Sequence, residues 1–103
     1  IKYKGTTLYP PAIFDILNNI GYVREYVVET FTNDLGTDEL KLHIHTPLPI
    51  DDCEAKLRPE LQSKLRVAPL LHFHSANTIQ QIQFPEGSRK QVKFLDNREN
   101  KLI

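Results

Sequence analysis

The sequence has no methionine, and only one of its 103 residues is a cysteine. The lone Cys53 cannot form an internal disulfide, and no apolar run approaches the roughly 20 residues that are needed to span a bilayer. These absences favour a reducing, cytoplasmic setting. Because the chain begins at Ile1 and has no methionine at all, we expect it to be a piece of a longer protein, without a signal segment.

The sequence also has no excess of charge of either sign. It contains 13 Lys and Arg against 13 Asp and Glu, so no net field can hold nucleic acid or an anionic membrane. Its 40% apolar and 25% charged content is typical of one soluble domain. We therefore predict a single domain over residues 1–103, in which any bound anion must be met by local side chains.

Hydrophobic periodicity predicts the first half of the fold. Residues 2–9 are β-prone and stop at two prolines, which predicts a short first strand. The apolar residues of the next segment have helical spacing and precede Gly21: Ile13, Ile16, Leu17 and Ile20. Residues 22–31 then predict a strand that leads through the turn at 33–36 into a second strand, residues 40–45, with strict alternation.

A second helix is predicted after Asp51, which with Glu54 resembles a capping box. Its apolar stripe is Cys53, Leu57, Leu61 and Leu65. Pro59 removes a backbone donor, so we expect a kink or break near Ala55 to Arg58.

The remaining chain predicts one compact strand, Leu70 to His74, and then a polar loop with a short strand around Val92 and Phe94. Strand, helix, hairpin, helix and strand give the order β-α-β-β-α-β. The predicted fold class is therefore α+β: a ferredoxin-like antiparallel sheet with two helices on one face and a C-terminal loop that carries a basic segment.

Four histidines form two pairs, His43 with His45 and His72 with His74, each on one side of a strand. Zinc needs nitrogens at about 2.0–2.1 Å. In the ferredoxin-like order the first strand separates the two pairs by about 10 Å. We therefore predict no metal site, and interpret the histidines as exposed or hydrogen-bonded residues of the sheet.

Other nucleophile and nucleotide signals are weak. Cys53 lies on the apolar stripe of the second helix without a neighbouring catalytic signature, which indicates buried packing. Gly5 and Gly87 are too isolated to form a dinucleotide or P-loop fingerprint.

Residues 87–93 form a basic segment with three cations, Arg89, Lys90 and Lys93. A lysine on such a loop can deliver an ammonium group to a phosphate. The alternative is a solvated basic loop that serves solubility.

Two separated segments carry a family resemblance. Residues 4–10, Lys-Gly-Thr-Thr-Leu-Tyr-Pro, resemble the segment that opens the C-terminal domain of phenylacetate-CoA ligases. Residues 90–98 resemble the closing Gly-Lys segment of that family and its terminal Asp-Asn-Arg, although Arg89 stands where the family usually has glycine. The chain is identified by this resemblance as the C-terminal lid domain of an adenylate-forming acyl-CoA synthetase.

The resemblance implies an acid-thiol ligase with two half-reactions. An aryl carboxylic acid and ATP give an acyl-adenylate and pyrophosphate, and CoA then displaces AMP. Lys90 would act in adenylation, with Lys93 as the alternative lysine, and Lys4 and Gly5 would face CoA. The sites for ATP and Mg²⁺ belong to the N-terminal adenylation domain, so this chain alone is expected to be inactive.

The resemblance further implies a role in phenylacetate catabolism, although the acid itself stays open, and a homodimer is compatible with the sequence. A different class of function is a small regulatory module of ACT-like topology, which binds amino acids between paired domains. A zinc-sensing domain is the third alternative.

Overall fold

The structure, a computed structural model, describes residues 2–3, 6–86 and 88–98, and for residues 2, 3 and 6 it describes the backbone. Within this part of the chain, three helices accompany a four-stranded mixed sheet and a separate two-stranded pair. The elements are, in order, β1 (Lys2–Tyr3), β2 (Thr6–Thr7), α1 (Pro10–Asn18), β3 (Glu25–Thr32), β4 (Asp38–His45), α2 (Ile50–Leu65), β5 (Leu70–Phe73), α3 (Ala76–Gln83) and β6 (Phe94–Asn97). The predicted α+β class is confirmed.

Helix α1 begins at the two prolines. Proline has no backbone N–H, but an N–H in the first turn would have no acceptor within the helix, so none of its hydrogen bonds is lost. Ile13 and Leu17 are fully buried on its inner side. The helix ends at Asn18, and Ile20, although past that end, is also buried. The predicted apolar stripe therefore marks the core-facing side of this segment.

Strands β3 and β4 form the predicted antiparallel hairpin, paired from Glu25 and His45 to Thr32 and Asp38. The Asn33 side-chain oxygen accepts hydrogen bonds from two backbone N–H groups of the turn. Gly36 has a φ of 80°, a conformation that glycine adopts without steric cost. Local turn chemistry therefore closes this hairpin.

Helix α2 is continuous through Pro59, so a break near Ala55 to Arg58 does not occur, and the other predicted outcome, a kink, stays a prediction. Proline inside a helix costs about 3 kcal/mol. Burial of one large apolar side chain contributes about 1.5–3 kcal/mol, and this helix buries four residues of the predicted stripe: Cys53, Leu57, Leu61 and Leu65. The packing of these side chains therefore outweighs the missing backbone donor. Separately, no described helix is both long and apolar enough to cross a membrane.

The sheet has the order β5-β4-β3-β6, in which β5 runs parallel to β4 and β6 parallel to β3. The predicted antiparallel sheet is therefore corrected to a mixed one. The predicted first strand lies outside it, since its residues form the pair β1 and β2 instead. Among the described residues no N-terminal strand enters the main sheet, and β5, which follows α2, lies directly beside β4.

Helix α3 occupies part of the region that was predicted to be a polar loop. Ser75 caps it by accepting a hydrogen bond from the Thr78 backbone N–H at 3.2 Å. Its inner residues, Ile79 and Gln83, are buried. Two turns with a single fully buried apolar residue give too short a periodic signal to predict a helix from sequence.

The two faces of the sheet carry different chemistry because side chains alternate along each strand. One face supplies Leu40, Leu42 and Ile44 to a core shared with α1 and α2, which agrees with the prediction of two helices on one face. On the opposite face α3 lies against β3 and β4, and Val27 of β3 is fully buried there. Beyond α3 this second face is polar and includes all four histidines, since His45 alternates onto the face of His43 and His74 onto that of His72.

Candidate functional site

The basic segment lies in the connection between α3 and β6, as the sequence predicts for a loop. Lys90 is exposed, and its carbonyl oxygen accepts a hydrogen bond from the Ser88 hydroxyl at 2.8 Å. The backbone N–H of Val92 donates to the Gln83 carbonyl oxygen at 2.6 Å and closes the loop. The loop therefore presents Lys90 to solvent between fixed ends.

Gln83 anchors this loop to the sheet. Its side chain is buried and donates to Glu25 Oε1 at 2.8 Å. Gln91 donates to the same oxygen at 3.3 Å, so both sides of the loop bind the first residue of β3. Beside it a groove of about 410 Å³ is lined in part by Glu25, Ile79 and Gln91.

The two candidate lysines have different surroundings. The Lys93 ammonium lies 5.9 Å from the centre of the Tyr26 ring, and the Lys93 carbonyl accepts from Val28 N at 2.8 Å, which joins the loop to β3. For Lys90, the described residues supply no ion pair or ring contact to the ammonium. Of the two, Lys90 is the better placed to meet an external anion.

Lys4 and Gly5, the predicted CoA-facing residues, lie outside the described residues. Their flanking strands β1 and β2 pair through Lys2 with Thr7 and Tyr3 with Thr6. The role of Lys4 and Gly5 stays a prediction.

Cys53 is fully buried in the core. Burial raises the pKa of its thiol above the ordinary value, so the reactive thiolate is disfavoured. The prediction of buried packing is confirmed.

Three histidines come together on the polar face of the sheet. His43 Nδ1 lies 2.8 Å from His74 Nε2, and His72 packs edge-on to His43 with the ring centres 5.9 Å apart. One ring nitrogen from each of the three lies within 4.8 Å of the others. The predicted separation of about 10 Å is therefore wrong for this trio.

Sheet topology explains the proximity. With β5 directly beside β4, His43 and His72 stand opposite each other in register. His45 is not a member of the trio, because its Nδ1 lies 3.0 Å from the His74 carbonyl oxygen. The geometry therefore groups three of the four histidines closely enough for a metal ion, without His45.

Glu29 completes the polar cluster. Its Oε1 lies 2.7 Å from His43 Nε2, and its Oε2 accepts from Asn97 Nδ2 at 3.0 Å. Burial acts to raise the pKa of Glu29, but these bonds from Asn97 and His43 outweigh it and lower the pKa. The Glu29 carboxylate is therefore charged at neutral pH.

The imidazoles of His72 and His74 are neutral at pH 7. Burial lowers the pKa of both groups, and the neighbouring Lys41 and His43 lower it further. Neutral imidazole is the form that binds a metal or accepts a hydrogen bond.

The Asp-Asn-Arg segment has a structural role that the sequence did not predict. Asp96 accepts from Thr30 Oγ1 at 3.2 Å and pairs with the Arg98 guanidinium, in which two nitrogens each lie 2.8 Å from a carboxylate oxygen. Asn97 supports Glu29 on the other face. These bonds attach β6 to β3, and only the pairing of the two strands discloses them.

Comparison with known proteins gives matches at the level of structure. No family model and no curated protein sequence matches the chain. A domain of phenylacetate-coenzyme A ligase from Bacteroides vulgatus is similar with a TM-score of 0.71 and 17% identity, over 97% of this chain and 93% of that one. A 2-hydroxyisobutyryl-CoA ligase in complex with 2-HIB-AMP and CoA, in the thioesterification state, is similar with a TM-score of 0.71 and 18% identity.

A second structure of a 2-hydroxyisobutyryl-CoA ligase, in the postadenylation state with R3-HIB-AMP, has a TM-score of 0.69 and 19% identity. Both matches to that ligase cover 96% of this chain but only 21% and 22% of the ligase chain. The chain therefore has the fold of a CoA-ligase domain and spans about a fifth of the length of those ligases.

Proposed function

We propose that this chain is the mobile C-terminal lid domain of an AMP-forming CoA ligase that activates an aryl carboxylic acid such as phenylacetate. The observation that carries the proposal is the fold likeness, over 96% to 97% of the chain, to domains of CoA ligases. The motif resemblance at residues 4–10 and 90–98 supports it independently.

The proposed reaction has two steps. A carboxylate oxygen of the acid attacks the α-phosphorus of ATP, the bond to the β-phosphate bridge oxygen breaks, and pyrophosphate leaves. The CoA sulfur then attacks the acyl carbon, and AMP leaves with the electron pair of the broken acyl–oxygen bond. ATP, Mg²⁺ and the acid would bind the N-terminal adenylation domain, in the cytoplasm where ATP and CoA are available.

Lys90 is the proposed adenylation lysine. In the first step negative charge is redistributed over the acid carboxylate and the α-phosphate, and an ammonium group held there stabilises the transition state once water is excluded. The exposed position of Lys90 on a loop anchored by Gln83 supports this role. Lys93, the alternative, lies over the Tyr26 ring.

Lys4 and Gly5 are the proposed CoA-facing residues in the second step. A residue without a Cβ lets the pantetheine arm pass close to the backbone. The domain would rotate about a hinge near its N-terminus to exchange Lys90 for this segment. Each end of the domain would then serve one half-reaction.

The test uses the full-length enzyme that carries this domain, as wild type and as the variants Lys90→Ala and Lys93→Ala. We expect Lys90→Ala to lower acid-dependent pyrophosphate release by roughly 10²–10³-fold, the range observed when one electrostatic donor to a transition state is removed. Thioester formation from supplied acyl-adenylate should persist. Lys93→Ala is the matched control and should stay within a few-fold of wild type.

The reciprocal variant is Gly5→Leu, which should slow thioester formation while pyrophosphate release continues. Normal adenylation in Lys90→Ala would contradict the role of Lys90, and a selective loss in Lys93→Ala would transfer that role to Lys93. An enzyme that forms no acyl-adenylate from any aryl acid would contradict the proposed activity itself.

The regulatory alternative loses its structural basis. It depends on the β-α-β-β-α-β topology, whereas the described sheet has no N-terminal strand and pairs β5 directly with β4. Calorimetry of the chain against amino acids and CoA separates the two functions, and tight amino-acid binding would restore the regulatory one.

A further inference from the structure

The polar face of the sheet contains a side-chain cluster that the proposed ligase function does not use. It consists of His43 on β4, His72 on β5 and His74 immediately after β5, with Glu29 of β3 beside them. We refer to the three imidazoles as the histidine trio. We propose that the histidine trio is a binding site for one divalent transition-metal ion, with Zn²⁺ the best fit.

The first argument is the distance between donor atoms. Tetrahedral zinc with Zn–N bonds of about 2.0–2.1 Å places its nitrogen ligands about 3.3 Å apart. In the trio His43 Nδ1 lies 2.8 Å from His74 Nε2, and one ring nitrogen from each of the three residues lies within 4.8 Å of the others. The spacing that zinc requires falls between these two values, so side-chain rotations without backbone movement would bring the nitrogens around one ion.

The second argument is the orientation of His43. Its Nε2 donates to Glu29 Oε1 at 2.7 Å, so its Nδ1 accepts the 2.8 Å hydrogen bond from His74 Nε2. A metal ion would take the place of the proton in that hydrogen bond, and His74 would then carry its proton on Nδ1. Metal-binding histidines typically donate their second ring N–H to a carboxylate in this manner, because the bond fixes the tautomer and makes the ligand more basic. Asn97 in turn holds the other oxygen of Glu29 at 3.0 Å.

The third argument is access. His43 is buried, His74 is half-buried and His72 is exposed, so the trio opens to solvent on the side of β5. Three nitrogen ligands with one open position match the arrangement of zinc sites that keep a water molecule. Imidazole ligands suit Zn²⁺, Cu²⁺ and Ni²⁺ and disfavour Ca²⁺ and Mg²⁺, which require oxygen.

One nearby charge opposes a cation. Lys41 lies on the same face two residues before His43, and its ammonium sits 4.8 Å from the centre of the Phe31 ring. Glu29, paired with Lys41 in register across the two strands, supplies the compensating negative charge. The metal would also join the short edge strand β5 to β4 and stabilise the sheet at that edge.

The test is titration of the untagged, chelator-treated chain with ZnCl₂ in calorimetry at neutral pH. We expect one equivalent to bind with a micromolar or lower Kd and to raise the Tm of the chain. His72→Gln should abolish both effects; since His72 is exposed, the variant should fold. His45→Gln is the matched control: His45 supplies no nitrogen to the trio and its ring bonds to the His74 backbone carbonyl, so this variant should still bind one equivalent of zinc, with an affinity within a few-fold of wild type.

Glu29→Gln tests the supporting carboxylate and should weaken binding by roughly 10- to 100-fold, as loss of such a partner typically does. The imidazole NMR signals of His43, His72 and His74 should shift on zinc addition by more than those of His45, whose ring bonds to the His74 backbone. Binding weaker than about 1 mM, or equal binding by wild type and His72→Gln, would overturn the proposal and leave the trio as a hydrogen-bonded network. Neither result would bear on the adenylation test, which concerns Lys90.

Discussion

Buried or half-buried polar side chains do much of the positioning in this domain. Gln83 is almost fully buried, and the hydrogen bond from its side-chain amide to Glu25 holds the end of α3 against β3. Its backbone carbonyl oxygen accepts from the Val92 N–H, which holds the Lys90 loop at the same place. Asp96 joins Thr30 to Arg98 where β6 meets β3. Removing one partner of such a bond leaves the other unsatisfied, which costs more than the bond itself contributes.

Asp96 should make the stability of the domain dependent on pH. The Arg98 guanidinium, followed by the bond from Thr30, holds the pKa of this carboxyl well below its usual range in spite of partial burial. A folded-state pKa below the unfolded value of about 3.9 means that the stabilisation is complete above about pH 5 and is lost as the pH falls. Asp96→Asn should therefore lower the free energy of unfolding at pH 7 by about 1 kcal/mol.

The measurement is urea unfolding of wild type and Asp96→Asn at several pH values between about 7 and 3. The difference between the two proteins should shrink as the pH falls below about 5. Asp34→Asn, at the exposed hairpin turn, is the control and should change stability by less than about 0.5 kcal/mol. A difference that is constant across this range would contradict the role of the Asp96 carboxylate.

At the scale of elements, helices and strands that bury several residues at regular spacing were predictable. The stripe of α2 agrees with its pattern, and so does the alternation of β4 except at His43, which is buried on the predicted outer face. Helix α3 escaped prediction because it is short and buries a polar residue, Gln83, beside Ile79. The cap at Ser75 was the one local signal, and a single capping residue is common in loops as well.

Pro59 offers a test at this scale, because α2 tolerates it without gaining from it. Its side chain is exposed, and alanine there would restore the backbone donor to the carbonyl oxygen of Ala55. We expect Pro59→Ala to raise the free energy of unfolding by about 1–2 kcal/mol, after subtraction of the entropy that proline removes from the unfolded chain.

Chemical denaturation of the Pro59→Ala chain supplies the measurement, with Ser63→Ala as a control on the exposed side of the same helix. That control replaces no proline and should change stability by a few tenths of a kcal/mol. A less stable Pro59→Ala protein would mean that the helix is distorted at Pro59 in a way that the core requires.

At the scale of the whole molecule, the domain has its own hydrophobic core, yet its proposed catalytic lysine lies at its surface. The core joins α1 and α2 to one face of the sheet, whereas Lys90 is exposed. Such an arrangement suits a domain that delivers a side chain to a site on another domain. It also separates folding from activity, which can be measured independently.

We therefore expect the isolated chain to unfold in one cooperative transition but to release no pyrophosphate from ATP and phenylacetate. Circular dichroism during denaturation and a pyrophosphate assay on the same sample check the two parts. Acid-dependent pyrophosphate release by the isolated chain would contradict the proposal that the ATP site lies in another domain.

The sequence by itself determined most of the elements of this protein. Periodicity and turn residues encode α1, the β3–β4 hairpin and α2, since each depends on neighbours within about 20 positions along the chain. The same local reasoning placed the basic segment on a loop and Cys53 in the core. The terminal motifs carried the family resemblance without any knowledge of the fold.

Beyond the β3–β4 hairpin, only the tertiary structure decided which strands pair. Strand partners far apart in sequence depend on which sheet edge is free, and periodicity does not encode that choice. Here the N-terminal strand pairs outside the main sheet, so β5 takes the position beside β4 and brings His43 into register with His72. The histidine trio therefore depends on the order of strands in the sheet. The sequence shows the histidines, but it does not show that three of them lie close together.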